Sequence, residues 1–227
     1  DKPFLPALVD IALEVTSEDI GDAFFVFPHA RPALYPTELI RAAARVVKPC
    51  VMPRLEPVST PPSQIRSVTD ARRTTPVGIL DQVALLLAAV RELREERGGL
   101  LRELPLDDSR RFFPWGVRLA GLMEEFFTHN RVPEDYMHVR DEATPFAAAL
   151  LENLGALHGL YLASLKTRGW TTPGLDAYIT SRSVGRGAEF DFHPALAGKR
   201  IILAGFHTLT GAQQIVFRHL WERCGAT

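Results

Sequence analysis

Ala23-Phe24-Phe25-Val26-Phe27 decides the fold: five apolar residues in a row, with Gly21-Asp22 before them and Pro28 after. A short unbroken apolar run rich in aromatic residues is typical of a strand buried on both faces, as in a parallel sheet. Near the other end of the chain, Arg200-Ile201-Ile202-Leu203-Ala204 repeats the pattern, and Gly205-Phe206-His207 reads as the turn that follows. Working outward, Phe4 to Val15 carries Leu5, Leu8, Val9, Ala12 and Leu13 at helical spacing, with Pro6 tolerable in a first turn. After Pro28 a helix is expected from about Pro36 to Val46, then a short strand at Cys50-Val51-Met52 closed by Pro53. Strand, helix and strand in that order form a βαβ unit.

The middle of the chain has a different character. Pro53, Pro57, Pro61, Pro62 and Pro76 stand among Ser and Thr, the composition of a surface crossing. An amphipathic helix is predicted from Ile79 to Arg97, closed by Gly98-Gly99. A second is predicted from Phe113 to Thr128, with Leu119, Leu122, Met123 and Phe126 as its buried stripe. Thr144-Pro145 opens a long helix to Arg168, with Gly169 just past its end, and a shorter one covers Gly174 to Thr180. No strand is predicted between these helices, so they read as an inserted helical subdomain. Thr210 with Gln213 three residues on forms a capping box for a final helix. The expected division is an α/β lobe from 1–78 and 196–227, with a helical insertion at 79–195.

Composition narrows the function. Hydrophobic residues make up 46 % of the 227 and charged residues 23 %, which suits a folded globular chain. A net charge of −1 provides no global basic field, so any contact with nucleic acid has to come from a local patch. Of the 26 basic residues only Lys2, Lys48, Lys166 and Lys199 are Lys; the rest are Arg, whose planar fork of donors suits phosphate, although a GC-rich genome, which the abundant Ala also fits, explains the bias as well. Cys50 and Cys224 are the only cysteines, which disfavours a disulfide framework or a zinc site and fits a reducing cytoplasm. The longest apolar runs, such as Val83 to Val90, are too short to span a bilayer, so no membrane partner is expected. The first residue is not Met, which suggests a piece of something larger.

Two segments together resemble a known family. One is Phe24-Phe25-Val26-Phe27-Pro28-His29-Ala30-Arg31-Pro32-Ala33-Leu34, followed by Val51-Met52-Pro53-Arg54-Leu55. The other is Arg200 through Thr210, followed by Gln213 and Leu220. In order and spacing they resemble the N-terminal region of AddB- and RecC-like subunits of bacterial recombination helicase–nucleases. Those are diverged superfamily I helicases, many of them inactive as ATPases. The resemblance implies a P-loop NTPase-like (RecA-like) parallel-sheet lobe with a mostly helical inserted subdomain. It implies DNA as a partner, beside a catalytic helicase or nuclease subunit, in DNA repair in the cytoplasm. Active relatives carry two acids at the end of the second strand, which hold Mg²⁺ and orient the attacking water. Here Ala204 and Gly205 stand at those places, and a methyl group and a hydrogen ligate nothing. The resemblance further implies DNA contacts from His29 and Arg31, with Arg54 at the next strand end.

Other motifs are absent or weak. The one Gly-Lys pair, Gly198-Lys199, has His193 where a phosphate loop needs its first Gly, and Arg200 where it needs Ser or Thr. None of Lys48, Lys166 and Lys199 has an acid two residues before it, so the Glu-x-Lys element of the relatives' nuclease is missing. Glu189, Asp191 and His193 alternate and are a possible metal trio, although a solvated loop explains them as well. Phe112, Phe113, Trp115, Phe126 and Phe127 could stack bases, although their helical spacing fits core residues better. Beside them Arg110 and Arg111, with Arg118 one face along, are further DNA-contact candidates. No catalytic residue, metal or cofactor is assigned. The expectation is a non-catalytic DNA-binding scaffold. Two alternatives stay open: a functional ATPase fragment without its phosphate loop, and an unrelated α/β enzyme with a helical lid.

Overall fold

The computed structural model of the chain describes residues 3–16, 20–27, 38, 54–57, 74–97, 104–142, 144–185 and 198–227. The architecture is mixed α/β and mostly helical. Two compact units are formed, one from 1–70 with 180–227 and the other from 71–179. No described helix is long and apolar enough to cross a membrane.

In the first unit, β1 (Ala23–Phe27) lies between β2 (Arg54–Pro57) and β5 (Arg200–Leu203), and both pairings are parallel. Every residue of β1 is buried, which explains the unbroken apolar run: both faces of a central strand need covering. Alternation divides it into two cores. Phe25 and Phe27, their rings stacked with centroids 6.1 Å apart, pack with Ile202 and Ala204 against Leu8, Val9 and Ala12 of α1 (Phe4–Val15). Phe24, Val26 and Ile201 face the other way, onto Val216, Phe217 and Leu220 of α6 (Gly211–Cys224). That helix begins with a complete capping box. The Thr210 hydroxyl accepts from the Gln213 N–H, and the Gln213 side chain accepts from the Thr210 N–H. Gly225 ends it in the left-handed conformation at φ 63°. The chain then returns to the sheet: the Thr227 N–H donates to Ile201 O and Leu203 N–H donates to Thr227 O, a parallel bridge on the far edge of β5.

The strand expected at Cys50–Met52 and the helix expected at Pro36–Val46 lie outside the described residues, apart from Glu38. The strand seen in that region is β2, on the far side of Pro53. Arg54 therefore opens β2, in register with Phe24, and does not stand at a strand's carboxyl end.

In the second unit, α2 (Ile79–Arg97), α3 (Ser109–Thr128) and α4 (Pro145–Arg168) enclose a core of Leu86, Val90, Met123, Phe127, Tyr161 and Leu165. A 3₁₀ stretch runs from Pro133 to Glu142. Short strands β3 (Thr75–Pro76) and β4 (Trp170–Thr171) pair in parallel, so the helices are not free of strands as expected. Helix α5 (Pro173–Gly185) crosses the division between the units and is longer than the predicted Gly174–Thr180.

Helix α3 departs most from its sequence reading. It starts four residues before Phe113, because the Asp108 carboxylate accepts from the Arg110 N–H and caps it there. Pro114 then lies inside the helix, in its second turn. The buried stripe is Phe112, Gly116, Ala120, Met123 and Phe127, one step round from the predicted one. Gly116 explains the shift. A β-carbon there would stand 2.6 Å from Val83 Cγ1, so this is where α3 lies against α2. The sequence reading gave no weight to a glycine as a contact point.

Candidate nucleic-acid interface

The chain leaves β1 for β2 on one side of the sheet and later enters β5 on the other. The carboxyl ends of β1 and β5 thus flank the point where strand order reverses, which is where open α/β sheets bind ligands. Ala204 is the last residue held there, its N–H donating to Val26 O at 3.0 Å. Gly205 follows at φ 76°, a conformation that glycine adopts without cost. The polypeptide bends away at that residue, so glycine has a backbone reason to be there as well as lacking an acid. The ion pair nearest in the sheet, Lys199 with Asp22 at 3.1 Å, sits at the amino ends of β5 and β1. It is at the wrong end to serve this crevice.

Beside the bend, a groove of about 710 Å³ runs along α6, lined by Leu203, Phe206, Leu209, Phe217 and Trp221. Phe206 meets Phe217 edge-on with centroids 5.0 Å apart. Arg218 and Glu222 bring one charge of each sign, so the groove has no net field for a phosphate. Burial pushes the Cys224 thiol pKa up, which disfavours the thiolate.

His29 and Arg31, and the Glu189, Asp191 and His193 trio, lie outside the described residues. Arg54 is at the start of β2, as described above. Among the described residues no group of three or more His, Cys, Asp or Glu side chains is placed to hold a metal ion.

Arg110, Arg111 and Arg118 are brought together. All three are exposed on α3, on the side away from its buried stripe. The aromatics among them divide. Phe112 and Phe127 are fully buried, and Phe126 packs at the edge of the core, as expected. Trp115 is 46 % exposed and Phe113 37 % exposed, which a core assignment does not explain. The Arg118 guanidinium lies over the Trp115 ring, 5.6 Å from its centroid, a cation–π contact. Trp115, which the sequence offers either as a base-stacking or as a core residue, is thus not in the core. Its signal is the spacing Arg111, Trp115, Arg118, which puts an aromatic between two cations on one stripe of a helix.

Comparison with protein-family models gives no match for this chain. Comparison with curated proteins gives none either.

A second polar cluster lies inside the helical unit. The Glu124 carboxylate accepts from the Gly174 N–H at 2.7 Å through Oε2, at the positive end of α5, while its Oε1 is buried and unbonded. Burial, with Glu124 adding to it, raises the Tyr161 pKa, so its hydroxyl stays protonated and donates to Gln82 Oε1 at 3.3 Å. His158 is 4 % exposed, between Phe126 and Phe127, and its Nε2 has no partner. Burial lowers its pKa, Lys166 adds to that, and Glu134 opposes it. These groups are enclosed by the helical core, so the cluster is built into the packing and is not open to a substrate.

Proposed function

We propose that this chain is a non-catalytic, DNA-binding scaffold: a P-loop NTPase-like lobe of the inactivated helicase kind, with a helical insertion, working beside a catalytic helicase or nuclease subunit. The observation that carries this reading is the carboxyl end of β5. It stands at the strand-order reversal, where a working phosphoryl-transfer site needs carboxylates, and it presents Ala204 and Gly205. The three parallel strands, with β1 central and buried on both faces, also suit such a lobe. DNA contact in this reading rests on arginine, chiefly Arg110, Arg111 and Arg118 among the described residues.

The test is a pair of assays on the full chain. Fluorescence anisotropy with labelled single-stranded and duplex oligonucleotides, across a salt series and with or without Mg-ATP, is expected to show salt-sensitive binding that ignores ATP. A coupled ATPase assay with and without DNA is expected to stay at background. ATP turnover, or affinity that changes with ATP, would overturn the non-catalytic part. Absence of binding at low salt would overturn the DNA-binding part.

A further inference from the structure

We infer that the stripe Arg111–Trp115–Arg118 on α3 is a stacking site for an unpaired base of single-stranded DNA, its two guanidiniums taking the phosphates on either side. The inference rests on the DNA-binding reading above and says which form of DNA is held and by which surface.

The geometry is that of successive helical turns. Residues 111, 115 and 118 follow at four and three positions, so their side chains line one stripe about 10 Å long. Gly116, about 100° round the helix from Trp115, is pressed against Val83, which turns the stripe away from α2. An indole 46 % exposed on a rigid helix offers a flat apolar surface at little entropic cost. Among the described residues neither arginine is in an ion pair, so both charges remain available to an anion. Asp108, the acid just before the helix, is engaged in capping it, and exposed Glu125 comes two turns beyond Arg118. Asp107, also exposed, stands beside Asp108, so the positive charge lies in the two guanidiniums that flank the ring and does not extend along the whole helix.

An exposed ring between two cations fits a strand whose bases are unpaired. In a duplex the base faces are already stacked on one another, and an indole on a helix surface finds only phosphates. In a single strand each base presents a π-face, and stacking is tolerant of sequence because every base has one. Arg118, already over the ring, carries its charge directly beside the stacking surface.

The experiment compares three labelled DNAs of equal length: single-stranded thymidine, an abasic single strand with the same phosphates, and a duplex. Wild type, Trp115→Ala, Trp115→Phe and the double variant Arg111→Ala/Arg118→Ala are titrated against each, with circular dichroism to confirm that the variants are folded. Wild type is expected to prefer the base-bearing strand over the abasic one. Trp115→Ala should lose about tenfold on the base-bearing strand and nothing on the abasic one, while Trp115→Phe keeps part of the preference. The double arginine variant should weaken on both single strands and show a shallower salt dependence. Binding that is equal on base-bearing and abasic strands, or indifferent to Trp115, overturns the inference and leaves the DNA-binding reading standing. Wild type that binds none of the three DNAs removes both. Capture of polyglutamate in place of DNA, with the same dependence on Trp115, overturns the inference in favour of an acidic protein partner.

Discussion

The two units bury different things. Among the described residues of the α/β unit the buried polar side chains are hydroxyls, Thr16, Thr180 and Ser181, and Thr16 satisfies itself by donating to Ala12 O at 2.7 Å. In the helical unit the core also contains His158, Tyr161 and a carboxylate oxygen of Glu124. The α/β unit, whose strand ends are where such folds usually do chemistry, offers a methyl group and a hydrogen there. The helical unit holds titratable groups inside and, outside, an exposed aromatic with one guanidinium over it. In the proposed reading, the arrangement of elements is present without the charges that would give it chemistry, and the contacts fall to an exposed helix surface.

The strongest way to break this comparison is to cut equal volumes from the two cores. Phe25→Ala and Phe127→Ala each remove a fully buried ring and should each cost about 3–5 kcal/mol in urea unfolding. A much smaller loss for Phe127→Ala would mean that the polar groups around it already loosen the helical core.

Close contacts give the next effect. At Gly174 a β-carbon would stand 2.6 Å from Glu124 Oε2 and 3.0 Å from its backbone oxygen, and at Gly116 it would meet Val83. Alanine at either position should cost about 1–3 kcal/mol. Gly121, on the same helix as Gly116, has nothing within 4 Å, and alanine there should stabilise by about 0.5–1 kcal/mol. Thermal melts of the three variants check the ranking; a neutral Gly116→Ala would deny the close approach of α2 and α3.

How much of this was legible follows from where the decisive information sits. Helix α1, strand β1 and helix α2 were readable to the residue, because an apolar period or an unbroken apolar run is a local property. The long helix from Pro145 to Arg168 was readable from its proline start and from Gly169, which adopts φ 65° just past its end. The face that α3 buries was readable in part: Met123 is fully buried and Leu119 and Phe126 pack against the core, while the turn of that face toward Phe112 and Ala120 depends on Gly116 meeting Val83, a pair far apart in sequence. The start of the same helix lies upstream of the expected Phe113, where Asp108 caps it. Pairing β3 with β4 joins two-residue strands nearly a hundred positions apart, too short to give any pattern. At the candidate site, arginines 110, 111 and 118 were visible as a cluster, but the spacing of Trp115 fitted the core better than base stacking. Spacing alone does not say which side of a helix faces water.

The smallest effect is a pH dependence. His158 has its pKa lowered from an ordinary value of 6.5, chiefly by burial, so the folded chain prefers it neutral. Above pH 6.5 the ring is mostly neutral folded or unfolded, and its contribution is intact. As pH falls below that value the unfolded chain takes the proton first, and stability is lost until the folded-state pKa is passed. Unfolding of His158→Phe should therefore depend less steeply on pH in this window than wild type, whereas Phe25→Ala keeps the wild-type slope. An unchanged slope in His158→Phe would show that the ring is not the titrating group.

Thr227 has a further consequence. The outward-facing backbone groups of Ile201 and Leu203, on the side of β5 away from β1, are bonded to its N–H and carbonyl. A strand reading Arg-Ile-Ile-Leu with that edge bare would be a template for another chain, the kind of flat apolar edge from which aggregates grow. Two backbone hydrogen bonds from one residue thus cover that edge at the strand's centre, and a chain shortened by Ala226 and Thr227 should betray the difference first in its tendency to self-associate.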